Sequence, residues 1–205
     1  MRYARDHKAA TRDKILKGAV MRLKESGSGG IAIAELMKEA GLTHGGFYAH
    51  FKSRDALIEE SFRQALDGIA QRWRARAGKV PAGEGLAAIV NGYLTREHRD
   101  DVTGGCALPS IGAELVRVNA KTRRIVTGRL EEAIDAVASQ STACPAKAAR
   151  EQAIGTIATM VGSLLLARAA GDEELSAEIL KAGRRKALAE DQPRAAKSPR
   201  AKVSR

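Results

Sequence analysis

The sequence predicts an all-α protein: an N-terminal three-helix helix-turn-helix head joined to a larger C-terminal helical body, about nine helices in all. Three observations point there. Ala, Leu, Glu, Lys and Arg dominate the 205 residues, and no run alternates with period two. Apolar residues instead recur at i, i+3, i+4 and i+7 in segment after segment, the spacing of one helix face. Gly, Pro and Ser clusters separate these segments, and 44% hydrophobic with 29% charged residues suits a globular chain.

Residues 1–10 read as a polar arm carrying Arg2, Arg5 and Lys8. Thr11 is expected to cap helix one, with Asp13 in its first turn. Ile15, Ala19 and Leu23, flanked by Leu16 and Val20, give that helix its apolar stripe, and Ser26-Gly27-Ser28-Gly29-Gly30 ends it. Ile33, Leu36, Met37 and Ala40 define helix two, which Gly41 closes in the left-handed conformation. Thr43 starts a short helix three. Ser53 caps a long helix four, whose stripe runs from Leu57 through Phe62 and Leu66 to Trp73 and about Ala77. Gly78–Gly85 is a connector. Helix five carries Leu86, Ile89, Val90 and Tyr93. A charged loop, 95–105, leads to helix six, with Pro109 in its first turn. Helix seven covers 120–138, helix eight about 147–169 and helix nine about 173–189. Cys144-Pro145 punctuates the chain between helices seven and eight. Residues 190–205 contain two prolines and almost nothing apolar, so they are expected to be disordered. The domains are then 1–53 (head), 54–189 (body) and 190–205 (basic tail).

Charge narrows the function. The net charge is +11. Residues 1–54 hold 11 Lys/Arg against 5 Asp/Glu, residues 55–189 hold 19 against 17, and the tail holds 5 against 2. A basic end on a nearly neutral body is the electrostatic footprint of a nucleic-acid binder. The longest nearly apolar stretch, 154–166, is shorter than the roughly 20 residues of a membrane span, and the charged N-terminus has no signal core. The expectation is a cytoplasmic protein with no membrane partner. Two cysteines without CxxC spacing argue against a disulfide framework or a zinc site. No GxSxG, HExxH, Walker or GxGxxG pattern is present. No catalytic residues, cofactor or metal are therefore expected, and the chain is not read as an enzyme. The acidic cluster around Glu97, His98, Asp100 and Asp101 reads as solvated loop.

The chemistry concentrates in residues 34–51, AELMKEAGLTHGGFYAHF. Three of the chain's seven aromatic residues, Phe47, Tyr48 and Phe51, lie within five positions. Two short helices with a glycine at the joint form a helix-turn-helix, whose second helix enters the DNA major groove. Phe47 and Phe51 face the head's core. Thr43, His44, Gly45 and Tyr48, with His50 as a further candidate, occupy the other face. Two successive glycines, Gly45 and Gly46, are a poor local choice for a helix, about 1 kcal/mol each relative to alanine. Such choices mark functional positions, here by letting the backbone approach the duplex. Thr43 offers a hydroxyl and a backbone N–H to a phosphate at a helix N-terminus. Tyr48 and Lys52 suit phosphate contacts, and His44 a base edge or a phosphate.

The string GLTHGGFYAHFKSRDALI, residues 41–58, together with the helix that precedes it, resembles the signature of the TetR/AcrR family of bacterial transcriptional regulators. The resemblance is specific over about residues 10–58 and looser beyond, where YLTREHRD, GCALPSIGAELVR and VGSLLLAR are similar to one branch of the family. It implies a homodimer whose larger C-terminal domain binds a small molecule and carries the dimer interface. Ligand binding there moves helix four, changes the spacing of the heads and releases a palindromic DNA operator. It also implies a threonine at the start of helix two that contacts a phosphate. Here that position is Ala32, so the contact is missing or displaced. From the family layout, Trp73, Tyr93, His98, Cys106 and Ile111 are candidates to line the ligand pocket.

Two features of the body add to this. Helix eight is apolar nearly all round and carries Gly155, Ala158 and Gly162, so it should be buried on most sides. A monomer core would do this. A dimeric four-helix bundle with helix nine would do it more fully, and the resemblance implies that. Cys106 precedes a helix start, a position that lowers a thiol pKa, with Arg96, His98 and Arg99 available if they fold back. It is either an electrophile or oxidant sensor or a small buried hydrophobe. The function expected is a repressor released from its operator by a small-molecule or electrophile inducer. A nonspecific nucleoid-type DNA binder is the alternative.

Overall fold

A computed structural model of the chain describes residues 2–141 and 145–189. Among them are ten α-helices, two 3₁₀ segments and no strand. In chain order these are α1 (Arg2–Ser26), a 3₁₀ turn (Ser28–Gly30), α2 (Ile33–Glu39), a 3₁₀ helix (His44–Ala49), α3 (Arg54–Leu66), α4 (Ile69–Ala77), α5 (Gly85–Tyr93), α6 (Arg96–Asp100), α7 (Leu108–Leu115), α8 (Ala120–Ala138), α9 (Ala146–Ala169) and α10 (Glu173–Ala189). The expectations for Cys144 and for the tail, 190–205, lie outside the described residues.

The head forms where the periodicity put it. Ile15, Ala19 and Leu23 of α1 meet Leu36 and Met37 of α2, and Phe47, Phe51 and Leu57 close the cluster, all of them buried. Each large apolar side chain buried this way contributes about 1.5–3 kcal/mol. Gly41 sits at φ 77°. Its N–H donates to the Lys38 carbonyl (3.0 Å) and the Leu42 N–H to the Met37 carbonyl (2.8 Å). That pair of bonds is a Schellman motif, which stops α2 and turns the chain into the next helix. Ser53 caps α3 through its hydroxyl, which accepts the Ala56 N–H (3.1 Å).

Four local expectations need correction. Residues 2–10 contain no Gly or Pro to stop a helix, and α1 runs through them, so Thr11 lies inside the helix and caps nothing. Helix three is a six-residue 3₁₀ helix rather than an α-helix. Its hydrogen bonds include Gly46 N–H to Thr43 C=O and His50 N–H to Phe47 C=O, both three residues apart. Helix four is two helices, broken at Gly68, which adopts φ 76°. The apolar stripe passes from Leu66 to Ile69 without losing phase, so periodicity hid a break that Asp67-Gly68 signalled. The loop 95–105 contains α6, capped by the Thr95 hydroxyl, which accepts the His98 N–H (3.1 Å).

In the body, α4 packs on α8, α8 on α9, and α9 on α10, with α5 and α7 covering α10 and α9. Helices eight and nine of the sequence reading are α9 and α10. At 24 residues α9 is long and apolar enough, by length and composition, to cross a membrane, more than its 13-residue apolar stretch suggested. Here Thr156, Met160 and Leu164 on its inner side are fully buried in the protein. Its outer side leaves Ile154, Leu165 and Leu166 about half exposed.

Two contacts from the distal part of the body, beyond α3, reach back to the head. The Glu114 carboxylate on α7 accepts the Ser28 N–H (3.1 and 3.0 Å), and Gly27, at φ 72°, leaves room for it where a Cβ would collide. Lys24 on α1 donates to the carbonyls of Thr103 (2.7 Å) and Gly105 (2.9 Å). Burial, with Arg72 nearby, holds the Lys24 ammonium below the ordinary lysine pKa.

Candidate functional site

The 3₁₀ helix 44–49 is held from behind and open in front. Phe47 is 1% and Phe51 3% exposed, and their rings stack at 5.6 Å. Arg12 of α1 latches this segment. Its guanidinium makes a two-pronged pair with Glu60 of α3 (2.6 and 2.7 Å), donates to the His50 carbonyl (3.3 Å) and lies 4.6 Å over the Phe51 ring. In front, Tyr48 is 65% exposed and meets Phe47 edge-on at 5.3 Å, which fixes the direction of its phenol. Thr43, His44, Gly45 and Lys52 are exposed beside it. Thr43 occupies the N-cap position, but its side chain makes no capping bond, so the hydroxyl is not consumed within the helix.

The two glycines differ. A Cβ at Gly46 would touch the Met37 methyl (3.5 Å), whereas one at Gly45 would meet nothing within 4 Å. Neither has positive φ. Nothing inside the fold calls for glycine at 45. His50 is drawn the other way. It is half-buried, its Nδ1 is buried without a hydrogen-bond partner, and burial together with the Lys8 and Arg12 charges holds its imidazole below the ordinary range. The structure thus groups Thr43, His44, Gly45, Tyr48 and Lys52 on one surface and places His50 at its edge. Ala32 stands at the start of α2 with no capping bond.

The second region is a cavity of about 650 Å³ between α4, α5 and residues 95–106. Of the residues proposed for a ligand pocket, Trp73, Tyr93, His98 and Cys106 line this cavity. Ile111 does not: it is fully buried on α7 in the core. Sequence reasoning missed Arg72 and Arg76, which line the cavity from one face of α4 at i and i+4, and Lys79, which lines it from the turn after α4.

His98 organises the floor. Its Nδ1 lies 2.6 Å from the Tyr93 carbonyl, and its Nε2 accepts the Cys106 N–H (2.9 Å). An acceptor at Nε2 requires the proton on Nδ1, so the imidazole is held neutral, and burial keeps its pKa low. Its ring meets Tyr93 edge-on at 4.5 Å, and Tyr93 meets Trp73 at 5.9 Å. Cys106 is 6% exposed and lies before α7. Of the three groups expected near it, His98 folds back, while Arg96 and Arg99 are drawn to Glu173 (3.3 and 2.7 Å). The same segment is clasped from α9, where Arg168 donates to the carbonyls of Arg99 and His98 (2.9 Å each) and to the Ser110 hydroxyl (3.1 Å).

The family model described as "Bacterial regulatory proteins, tetR family" matches residues 15–61, from α1 through most of α3, the stretch that carries the exposed surface. Residues 15–61 therefore resemble the DNA-binding segment of the TetR family. The HTH-type transcriptional repressor KstR2 of Mycolicibacterium smegmatis is 30% identical over 66 residues. That alignment spans about a third of either chain (32% of each). TetR-family similarity in fold extends further. A TetR regulator from Chloroflexus aurantiacus matches with a TM-score of 0.75 at 23% identity, over 92% of this chain and 96% of that one. A TetR-family regulator from Streptomyces coelicolor gives 0.70 at 21%, over 90% and 97%. The reduced form of NemR from E. coli gives 0.69 at 18%, over 86% and 96%. TetR-fold helical bodies therefore accompany the TetR head across nearly the whole chain.

Proposed function

We propose that the chain is a sequence-specific DNA-binding repressor that works as a homodimer and is released from a palindromic operator by a small molecule. The observation that carries this is the division of labour on residues 43–52. Phe47 and Phe51 and the Arg12 latch fix the segment, leaving Thr43, His44, Gly45, Tyr48 and Lys52 exposed without an internal task. A rigidly backed polar face with a free backbone approach suits a groove wall and its phosphates.

The dimer reading draws on the outer face of α9 and α10. Ile154, Leu165 and Leu166 on α9 and Leu175 on α10 are 47–58% exposed, and Gly155 and Gly162 keep the α9 surface low. A second copy packing the same face against itself would cover these side chains in a four-helix bundle. Operator contacts on two heads would then follow two-fold symmetry.

Release draws on the cavity. It borders the Gly68 break between α4 and α3, and it borders the 103–105 carbonyls that Lys24 holds from α1. A ligand that shifts α4 or this segment acts on the joint with α3 and on the Lys24 tie to α1. The buried Cys106 thiol shares that cavity, so an electrophile reaching it would act at the same place.

The test is a mobility-shift titration of the full chain on the DNA upstream of its own coding region, against unrelated competitor. Specific binding surviving about a thousandfold excess of competitor supports the proposal. Binding lost equally to any competitor, with affinity set by salt alone, supports a nonspecific nucleoid-type protein instead.

A further inference from the structure

We infer that the cavity between α4 and α5 selects an organic anion, a flat apolar body bearing a carboxylate. The claim deepens the inducer reading above, and it rests on that reading only for the effect on DNA.

Charge is the first reason. Arg72 and Arg76 from one face of α4, and Lys79 from the turn that follows it, present three cations to the cavity. Like charges four apart on a helix disfavour it by a few tenths of a kcal/mol. Among the described residues, Arg63, Arg129 and Arg150 each have a carboxylate within ion-pair distance, and none of the three cavity cations does. Glu97 and Asp101 also line the cavity. Glu97 is held ionised by its own backbone N–H and the Thr95 hydroxyl, and Asp101 is turned to the Gly104 N–H (2.7 Å), so the three cations exceed the two lining carboxylates by one charge and pair with neither. Arg76 lies flat against the α5 backbone at Gly92, where any Cβ would collide with the guanidinium. That contact braces the Arg76 group at the cavity wall.

The floor supplies the second reason. Tyr93 is 2% exposed, and its hydroxyl has no hydrogen-bond partner. The Cys106 thiol is its polar neighbour without reaching bonding geometry. His98 cannot serve it, since both ring nitrogens are engaged. A buried hydroxyl left unpaired costs about 1–3 kcal/mol, and an acceptor on a ligand recovers that cost. Beside it, Trp73, Tyr93 and His98, packed edge-on, line the cavity with aromatic ring atoms. An orphaned donor at the floor, cations at the wall and aromatic rings between them match an aryl carboxylate, and the volume accommodates a ligand of that size.

The experiment uses calorimetric titration of the full chain with two matched pairs, cinnamate against cinnamamide and 2-naphthoate against 2-naphthamide, and with inorganic phosphate. Trp73, the chain's single tryptophan, reports by fluorescence whether each probe enters this cavity. The expected result is carboxylates binding at least tenfold tighter than their amides. Arg76→Gln should erase that preference, and Tyr93→Phe should weaken carboxylate binding in a chain of unchanged helicity. Amides binding as tightly as carboxylates in both pairs, absence of carboxylate binding, or a preference untouched by Arg76→Gln overturns the inference. Phosphate binding as tightly as 2-naphthoate overturns its organic part. A parallel operator-release assay separates the two claims. Carboxylate binding that leaves the DNA complex intact upholds the anion site and removes the inducer reading. Release by the amides alone upholds the inducer reading and removes the anion site.

Discussion

Replacing Arg12 with Met should loosen the 44–49 segment proposed to read DNA without altering any exposed residue on it. In the structure one guanidinium makes three kinds of contact: the two-pronged pair with Glu60, the bond to the His50 carbonyl and the stack over Phe51. The Arg12 and Glu60 side chains are 38% and 28% exposed, so solvent screens the pair and it contributes no more than about 1 kcal/mol. The cation over the Phe51 ring adds about 0.5–1 kcal/mol. Methionine keeps much of the stem packing, so the total loss should be about 1–2 kcal/mol. Urea unfolding of wild type, Arg12→Met, Glu60→Gln and the double variant measures it as a cycle. A coupling of about 0.5–1 kcal/mol between the two sites is expected. Glu60→Gln should also weaken operator binding, although Glu60 lies on α3 behind the reading surface. An Arg12→Met variant within about 0.3 kcal/mol of wild type, with no coupling to Glu60, would refute the latch.

Tyr48→Ala should weaken operator binding at least about tenfold, the loss of one good phosphate contact, while circular dichroism and Tm stay unchanged; unchanged affinity removes Tyr48 from the surface. Gly45→Ala should raise stability by about 0.4–1 kcal/mol, because a Cβ there meets open space, and yet weaken DNA binding. If thermal unfolding shows stability falling instead, the open-space argument fails. For His98, the folded-state pKa is depressed, so the unfolded chain takes up the proton first as pH falls below about 6.5. Stability should therefore decline from about pH 6.5 down through the lowered folded value and be flat above it. His98→Asn should reduce that slope in urea titrations at pH 7 and 5.5, and an equal slope in both proteins would show that His98 does not contribute.

Much of the fold is legible because helix periodicity is a local signal. The stripe Ile15, Ala19, Leu23, the cap at Ser53 and the stop at Gly41 each depend on neighbours within one or two turns. The candidate reading surface is legible for the same reason, since Phe47 and Phe51 at i and i+4 define the inside and Tyr48 falls outside. Periodicity fails where two segments stay in phase, as at Gly68 between Leu66 and Ile69. Helix type also escapes it: Gly45 and Gly46 argued for weak helicity, and the 3₁₀ geometry follows from that weakness. The cavity was only half legible. Trp73, Tyr93, His98 and Cys106 are distinctive residue types, whereas Arg72, Arg76 and Lys79 look like any solvated basic residues until α5 is placed opposite. Ile111 shows the converse, an apolar residue near the cavity in sequence that packs into the core. The links from Lys24 to Thr103 and from Glu114 to Ser28 join positions about eighty residues apart, and no local pattern announces them.

The central claim is that residues 43–52 read a specific duplex sequence from two symmetric heads. Selection of bound fragments from a random DNA library by the full chain tests it most directly. The account predicts enrichment of one palindromic motif, with half-sites about one helical turn apart or a multiple of it, and loss of that enrichment in Tyr48→Ala. Recovery of fragments with no shared motif, or the same motif recovered by Tyr48→Ala, would contradict it.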